Sequence, residues 1–247
     1  MANTPTNDND RINGSSDDDI IRAMGGDDFV WGKAGDDKLY GNAGDDCLFG
    51  GDGNDVLDGG TGDDKLYGGV GDDKLFGGAG DDKLFGGAGI DVLNGGAGND
   101  LLLGGEDNDR ITAGSGNDVL GGGIGDDFLL GGEGDDTIQG NDGDDRIWGG
   151  AGRDLMFGGT GVDQFFFIAR TDSGVGVGVR DVISDFSIGE DRLNLKPLNA
   201  NAEMISFTSI AAGKGVVVGI DFDLNGSVDF QIQMNNAAGL SLSDIVL

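Results

Sequence analysis

The chain has 247 residues, 46 of them acidic against 15 basic, for a formal net charge of −31 and an isoelectric point near 4.1. So acidic a chain repels nucleic acid and anionic membrane surfaces and attracts cations. It holds no histidine and one cysteine, Cys47, which excludes histidine-based zinc sites, Ser-His-Asp and Cys-His arrangements and an internal disulfide.

The N-terminal MANTPTNDND is polar and acidic and is not a cleavable secretory signal, and no apolar run reaches the ~18 residues that a membrane-spanning helix needs. Residues 1–4 are expected to form a disordered tail. From Pro5 to Phe166 the chain is then 18 consecutive nonapeptides without a gap, among them GGTGDDKLY (59–67), GGVGDDKLF (68–76) and GGAGDDKLF (77–85). Position 6 is Asp in all 18 units and position 8 is apolar in all 18. Positions 1 and 4 are Gly in 15 units each, and position 5 is Asp or Asn in 15, the exceptions being Ile90, Arg153 and Val162.

Glycine at positions 1, 2 and 4 lets the backbone take positive φ and turn tightly. Positions 7 to 9, such as Lys83-Leu84-Phe85, then read as a three-residue strand whose alternation sends position 8 inward and positions 7 and 9 outward. Two units make one coil, and stacked coils give two parallel sheets with the leucines between them. Nine coils at ~4.8 Å each predict a rod roughly 43 Å long, right-handed because parallel crossovers nearly always are. The fold class expected is all-β: a right-handed parallel β-helix solenoid with two nonapeptides per coil.

Such a roll has a thin core and a large charge problem, since residues 5–166 carry 36 acidic and 10 basic side chains, a net −26. A hard dication addresses both. Stacking brings each position-6 Asp near the Asp two units later, and carboxylates with turn carbonyls suit the 6–8 oxygen ligands of Ca²⁺. Mg²⁺ demands a tighter octahedron, and softer metals want His or Cys. The candidate ligands are Asp10, Asp19, Asp28, Asp37, Asp46, Asp55, Asp64, Asp73, Asp82, Asp91, Asp100, Asp109, Asp118, Asp127, Asp136, Asp145, Asp154 and Asp163. Eighteen turns leave at most 18 − 2 = 16 gaps between neighbours. Missing sites are expected at the turns carrying Asp8, Asp17 and Asp107 in place of a position-4 Gly. The paired Asp residues, such as Asp72-Asp73, read as one ligand and one turn-stabilising residue rather than as an acid/base pair, because a catalytic pair is not repeated along a whole domain. The recurrent GxGxxG matches lack the following helix that dinucleotide binding needs.

These residues resemble the RTX (hemolysin-type) family, whose hallmark is GGxGxDxUx with U a large apolar residue. The resemblance covers residues 5–166. It implies a β-roll with Ca²⁺ held between stacked turns by the position-6 carboxylates and turn carbonyls. The matching carbonyls here are those of Gly26, Gly35, Gly44, Gly53, Gly62, Gly71, Gly80, Gly89, Gly98, Gly116, Gly125, Gly134, Gly143, Gly152 and Gly161. It also implies export by a type I secretion apparatus with an uncleaved C-terminal signal, and folding on Ca²⁺ outside the cell or at its surface.

After Phe166 the register stops. RDVISDFSIGEDRLNL (180–195), the alternating GVVVGIDFDL and SVDFQIQM around Asn225-Gly226, and the final LSLSDIVL follow. Asn-Gly between alternating runs predicts a hairpin. These pieces look like the segment that follows the rolls in serralysin-type exported proteases. Residues 167–247 are read as a β-rich cap over the open solenoid end, with the secretion signal in its last part. The stretch DFDLNGSVD (221–229) begins like a calcium loop, but its twelfth position is Ile232 rather than Glu and its flanks are strands. A hairpin is the preferred reading, with a separate Ca²⁺ site at Asp221, Asp223 and Asp229 as the competing one.

Position 9 carries Trp31, Tyr40, Phe49, Tyr67, Phe76, Phe85, Trp148, Phe157 and Phe166, expected to stack along the outer faces. A surface for self-association is the sharper reading of that row. Lys38, Lys65, Lys74 and Lys83 read as charge compensation, and Cys47 as an incidental thiol. The function expected is a secreted, non-enzymatic calcium-binding protein. Its competitors are the roll region of a larger exported protease, lipase or epimerase, and a structural or adhesive surface protein.

Overall fold

The computed structural model describes residues 5–169, 171–174, 178–209, 215–237 and 239–247; the expected N-terminal tail lies outside the described residues. Each nonapeptide contributes one strand, from β1 (Arg11–Asn13) and β2 (Ile20–Gly25) through β9 (Lys83–Ala88) to β17 (Leu155–Thr160) and β18 (Gln164–Phe166). Odd-numbered strands stack in one sheet and even-numbered strands in the other, every neighbour parallel and 18 residues away, as in Leu66↔Leu84 and Leu84↔Leu102. Two nonapeptides therefore make one coil, and the protein is an all-β parallel solenoid of the β-roll type.

The strands are longer than the three residues expected. Lys83–Ala88 runs through positions 7, 8 and 9 of one unit and 1, 2 and 3 of the next. The Gly-Gly step joins the ladder because glycine at position 2 keeps pairing while its φ is positive: Gly78 has φ +114° and pairs with Gly96. Alternation through these six residues buries position 8 and the following position 1. Seventeen of the 18 position-8 side chains, from Ile12 to Phe165, form one continuous core, and Ile21 packs against it partly buried. No Cβ fits at most position-1 sites: one added to Gly77 would meet the carboxylate of Asp82 and the Gly95 carbonyl.

The stack imposes its backbone where the sequence departs from glycine. Met24, Lys33, Asn42 and Asn141 at position 2 and Asp107 at position 4 all have positive φ. Asn and Asp tolerate this region, whereas Met24 at φ +92° pays a steric penalty with its side chain half exposed. Replacing Met24 by Gly removes a strain of ~1–2 kcal/mol against an extra unfolded-state entropy of ~0.5–1 kcal/mol. Met24→Gly is thus expected to stabilise the roll by roughly 0.5–1 kcal/mol, read as a raised thermal midpoint in saturating calcium.

The sheets do not end with the repeat. Strand β19 (Asp181–Ile183) pairs parallel with β17, and β20 (Arg192–Asn194) pairs parallel with β18. Strands β21 (Ile205–Ser209), β22 (Gly215–Ile220) and β23 (Phe230–Asn235) form an antiparallel meander whose β23 joins β19, while β24 (Ile245–Val246) joins β20. The predicted hairpin about Asn225-Gly226 is the β22–β23 connection. Phe167, Phe186, Phe230 and Met234 close the core at this end. On the odd-numbered sheet Trp31, Phe49, Tyr67 and Phe85 stack at interplanar angles of 3–7° and centroid spacings of 4.9–5.7 Å. The expected aromatic row is thus present there, its rings covering one another's faces.

Candidate metal centre

The paired carboxylates of each turn separate by function. At position 5 the side chain is exposed and reaches forward: Asp63 Oδ1 accepts the Asp81 N–H at 2.9 Å, and Asp81 Oδ1 accepts the Asn99 N–H at 2.7 Å. At position 6 it is buried and reaches backward: Asp82 Oδ1 accepts the Asp64 N–H at 2.8 Å, and Asp100 Oδ1 accepts the Asp82 N–H at 2.8 Å. Asp81 and Asp82 therefore serve opposite neighbours from opposite sides of the backbone. The turn-stabilising residue expected from sequence is the one at position 5.

The buried set forms two continuous columns, one along the strands of each sheet. Every position-6 Asp from Asp28 to Asp163 is at most 3 % exposed. Each uses Oδ1 on the ladder, and each has an Oδ2 that is buried with no hydrogen-bond partner. That makes sixteen orphaned carboxylate oxygens, eight in each of two files, one file on each side of the roll. Buried polar atoms are nearly always satisfied, and an unpaired buried carboxylate is costly. No lysine or arginine supplies the counter-charge, since the one ion pair among the described residues joins Arg153 to Asp135 on the surface at 3.2 Å.

Burial raises the pKa of these groups, and neighbouring aspartates raise it further against the ladder N–H bonds. Asp64, Asp73, Asp82, Asp145, Asp154 and Asp163 are pushed up to about 7, and Asp109 and Asp136 to about 8.

Both N-terminal rungs differ. Asp10 Oδ2 accepts from the Thr6 N–H at 2.7 Å and the Thr6 hydroxyl at 2.9 Å. Asp19 Oδ2 accepts from the Ser15 N–H at 2.6 Å and the Ser15 hydroxyl at 2.9 Å. The pKa of Asp19 is accordingly lowered, by the Ser15 N–H first and its hydroxyl next. Position 2 thus supplies a hydroxyl in the two units that begin the stack, and the carboxylate oxygen left open elsewhere is closed. These two units carry Asp8 and Asp17 at position 4. The third exception, Asp107, adopts φ +73° in place of glycine, and its carboxylate neighbour Asp109 keeps an open Oδ2. The expected gaps therefore divide: two coincide with capped rungs and one with an ordinary open rung.

Of the carbonyls expected as ligands, those at position 4 point along the stack at the next turn's position-4 glycine, as Gly62 does at Gly80 and Gly26 at Gly44. At many of the open rungs a position-1 carbonyl oxygen also lies beside Oδ2: the point where a Cβ on Gly32 would sit is flanked by Asp37 Oδ2 and the Gly50 carbonyl oxygen. Sequence reasoning missed position 1. Its signal was the glycine there, needed for the close approach of a carboxylate rather than for positive φ. The donor set of the column is all oxygen, charged and neutral, which fits a hard dication such as Ca²⁺.

Asp221, Asp223 and Asp229 in the β22–β23 loop place carboxylate oxygens within 4.8 Å of one another, the only such trio among the described residues. They also order the loop, since Gly226 N–H donates to Asp221 Oδ2 at 2.7 Å and Phe222 N–H donates to Asp229 Oδ2 at 3.0 Å. Cys47 is half-buried, and burial pushes its thiol pKa up.

Comparison with known families agrees with this geometry. The model of the RTX calcium-binding nonapeptide repeat (4 copies) matches residues 5–39, 24–57, 58–93, 94–129 and 130–165. Among solved structures, the chain is similar to the AlgE6R3 subunit of the Azotobacter vinelandii mannuronan C5-epimerase. The identity is 28 % over 57 % of this chain and 78 % of that one, with a TM-score of 0.36. The AlgE6R2 subunit of the same enzyme is 27 % identical over 59 % of this chain and 91 % of that one, with a TM-score of 0.37. The extracellular lipase LipA of Serratia marcescens is 16 % identical, aligned over 98 % of this chain and 39 % of that one, with a TM-score of 0.18. No curated protein matches the chain.

Proposed function

The chain belongs to the RTX calcium-binding nonapeptide-repeat family, and from that premise we propose that it is an exported, non-enzymatic protein whose roll folds when calcium enters the aspartate column. The observation that carries this reading is the two files of eight buried, unpartnered Oδ2 atoms each between Asp28 and Asp163. Calcium, when bound, supplies the positive charge that these oxygens lack. The chain's part is to hold the oxygens in place. Oδ1 of each Asp is tied to the turn behind it, and the backbone carbonyl of the same residue accepts from the turn ahead, as Asp64 does from Lys83 N–H at 2.8 Å. Oδ2 is thereby fixed, facing inward, at every rung.

The absence of any histidine in 247 residues supports the non-enzymatic reading. Export is supported by the family and by the serralysin-like C-terminal stretches. Among the described residues no helix is long and apolar enough to cross a membrane. The test is equilibrium dialysis of the full chain against calcium, followed by elemental analysis. Several ions per chain are expected, and fewer in Asp82→Asn, which keeps the shape of the side chain and removes its charge. A chain that retains no calcium at millimolar free concentration would overturn the reading.

A further inference from the structure

Asp181 stands outside the nonapeptide repeat, yet it continues the column. Its side chain is fully buried and its Oδ2 has no partner, as at the repeat rungs. Asp181 Oδ1 accepts the Asp154 N–H at 2.8 Å, just as Asp154 Oδ1 accepts the Asp136 N–H at 3.0 Å. The backbone keeps the same register, with Leu155↔Val182 and Met156↔Ile183, although 27 residues rather than 18 separate the two rungs.

The surroundings of Asp181 offer no cationic side chain. Arg180 spends its guanidinium on the side-chain oxygens of Gln231 and Gln233, and Arg153 pairs with Asp135 at the surface. Asp172, also buried, has its Oδ2 fixed by the Ile168 and Ala169 N–H groups and the Trp148 indole, and carries a further negative charge toward the same region. The other side of the roll ends differently. Asp191 takes the equivalent rung on the even-numbered sheet and accepts the Asp163 N–H at 3.1 Å, but its Oδ2 is closed by the Ser187 N–H at 2.7 Å. Of the two final rungs one is open and one is capped.

We propose that Asp181, together with Asp154, holds a divalent cation at the junction between the roll and the C-terminal strands, and that docking of those strands depends on it. The location makes the coupling direct. Asp181 pairs with Ile232 of β23, and its N–H donates to Ser173 Oγ, which in turn donates to the Gln231 carbonyl. A charge left open at Asp181 sits where β17, β19 and β23 meet, so its neutralisation bears on all three.

This inference rests on the calcium reading of the column, and the experiment separates the two. Calcium is counted on the full chain in Asp181→Asn, Asp191→Asn and Asp82→Asn. The expected result is one ion fewer per chain in D181N, an unchanged count in D191N and a loss in D82N. Hydrogen exchange of the β23 amides, Phe230–Asn235, should become faster in D181N and stay unchanged in D191N. A D181N count equal to wild type, with D82N reduced, makes Asp181 a protonated structural residue and overturns the proposal while the family reading stands. Unchanged counts in all three would sink the family reading itself. If D181N does not fold in excess calcium, hydrogen exchange on the wild-type chain decides. Protection of Phe230–Asn235 should appear over the same calcium range as that of the roll strands, and protection already complete without calcium overturns the proposal.

Discussion

Stripping divalent ions from the chain at neutral pH is expected to abolish its β-sheet circular dichroism, and returning calcium is expected to restore it over a narrow concentration range. The driving imbalance is visible in one coil. Two position-8 side chains face inward, and beside them lie two carboxylate groups removed from water without a counter-charge. Burial of an apolar side chain contributes about 1.5–3 kcal/mol, whereas an uncompensated buried charge costs several kcal/mol. Each rung is therefore unfavourable while both of its acids are ionised. Binding only to the folded state stabilises it by RT ln(1 + [L]/Kd) at each site, about 1.4 kcal/mol per site for every tenfold rise above Kd. Many equivalent sites add, so the response should be far steeper than that of one site. A metal-free chain with the same far-ultraviolet spectrum and thermal midpoint as the calcium-loaded one would refute this account.

The ends of the column should respond differently from its middle. Asp10 and Asp19 already have Oδ2 occupied, with Thr6 and Ser15 in the place proposed for a cation elsewhere. Their rungs lose nothing when calcium is removed, so protection in the first coil should vary least with metal.

Much of this was legible in the sequence because a period of nine is rigid. Asp at the sixth place of every nonapeptide and an apolar residue at the eighth can be brought to one interior only by stacking, and the 18-residue register follows. What escaped notice has physical reasons. The six-residue strands were hidden because Gly-Gly reads as turn, yet Gly77 and Gly78 lie in a ladder held by their neighbours above and below. The position-1 carbonyl was overlooked because its glycine is explained by contact with Asp82, which no local rule foresees. The continuation at Asp181 and Asp191 was masked by the change of spacing from 18 to 27 and 28 residues. Yet Asp181-Val182-Ile183 and Asp191-Arg192-Leu193 repeat the Asp-any-apolar order of positions 6 to 8, and Ile183 and Leu193 are fully buried like Leu84 and its equivalents from Val30 to Phe165. The triplet was the signal, and the intervening loops disguised it. The hydroxyl caps were legible only as departures from glycine at Thr6 and Ser15.

Acid should do part of the work of calcium. The column aspartates have folded-state pKa values above the ordinary value of 3.8, from about 6 at Asp46, Asp55, Asp91, Asp100 and Asp127, through about 7 at Asp82, to about 8 at Asp136 and about 9 at Asp181. Burial is the first cause at every one of these groups. A raised folded pKa means that the folded chain binds protons which the unfolded chain releases. Its stability contribution is fully present below the unfolded pKa near 4 and is lost as pH rises through the folded values, between about 6 and 9. The metal-free chain should therefore gain β structure as pH falls from 8 to 5, the lower limit chosen above the isoelectric point of 4.1 to keep the protein in solution. Protons and calcium compete for the same oxygens of the folded chain, so the calcium it binds at a given concentration should fall with acidity, while the calcium concentration needed for half-folding should fall too, because protonation already favours the fold. Circular dichroism of metal-free protein at pH 8 and pH 5 measures the first effect, and calcium titrations at both values measure the second. Equal disorder of the metal-free chain at the two pH values would mean that charge in the column is not what keeps it unfolded. The aspartates would then be spectators to a transition driven by the loops.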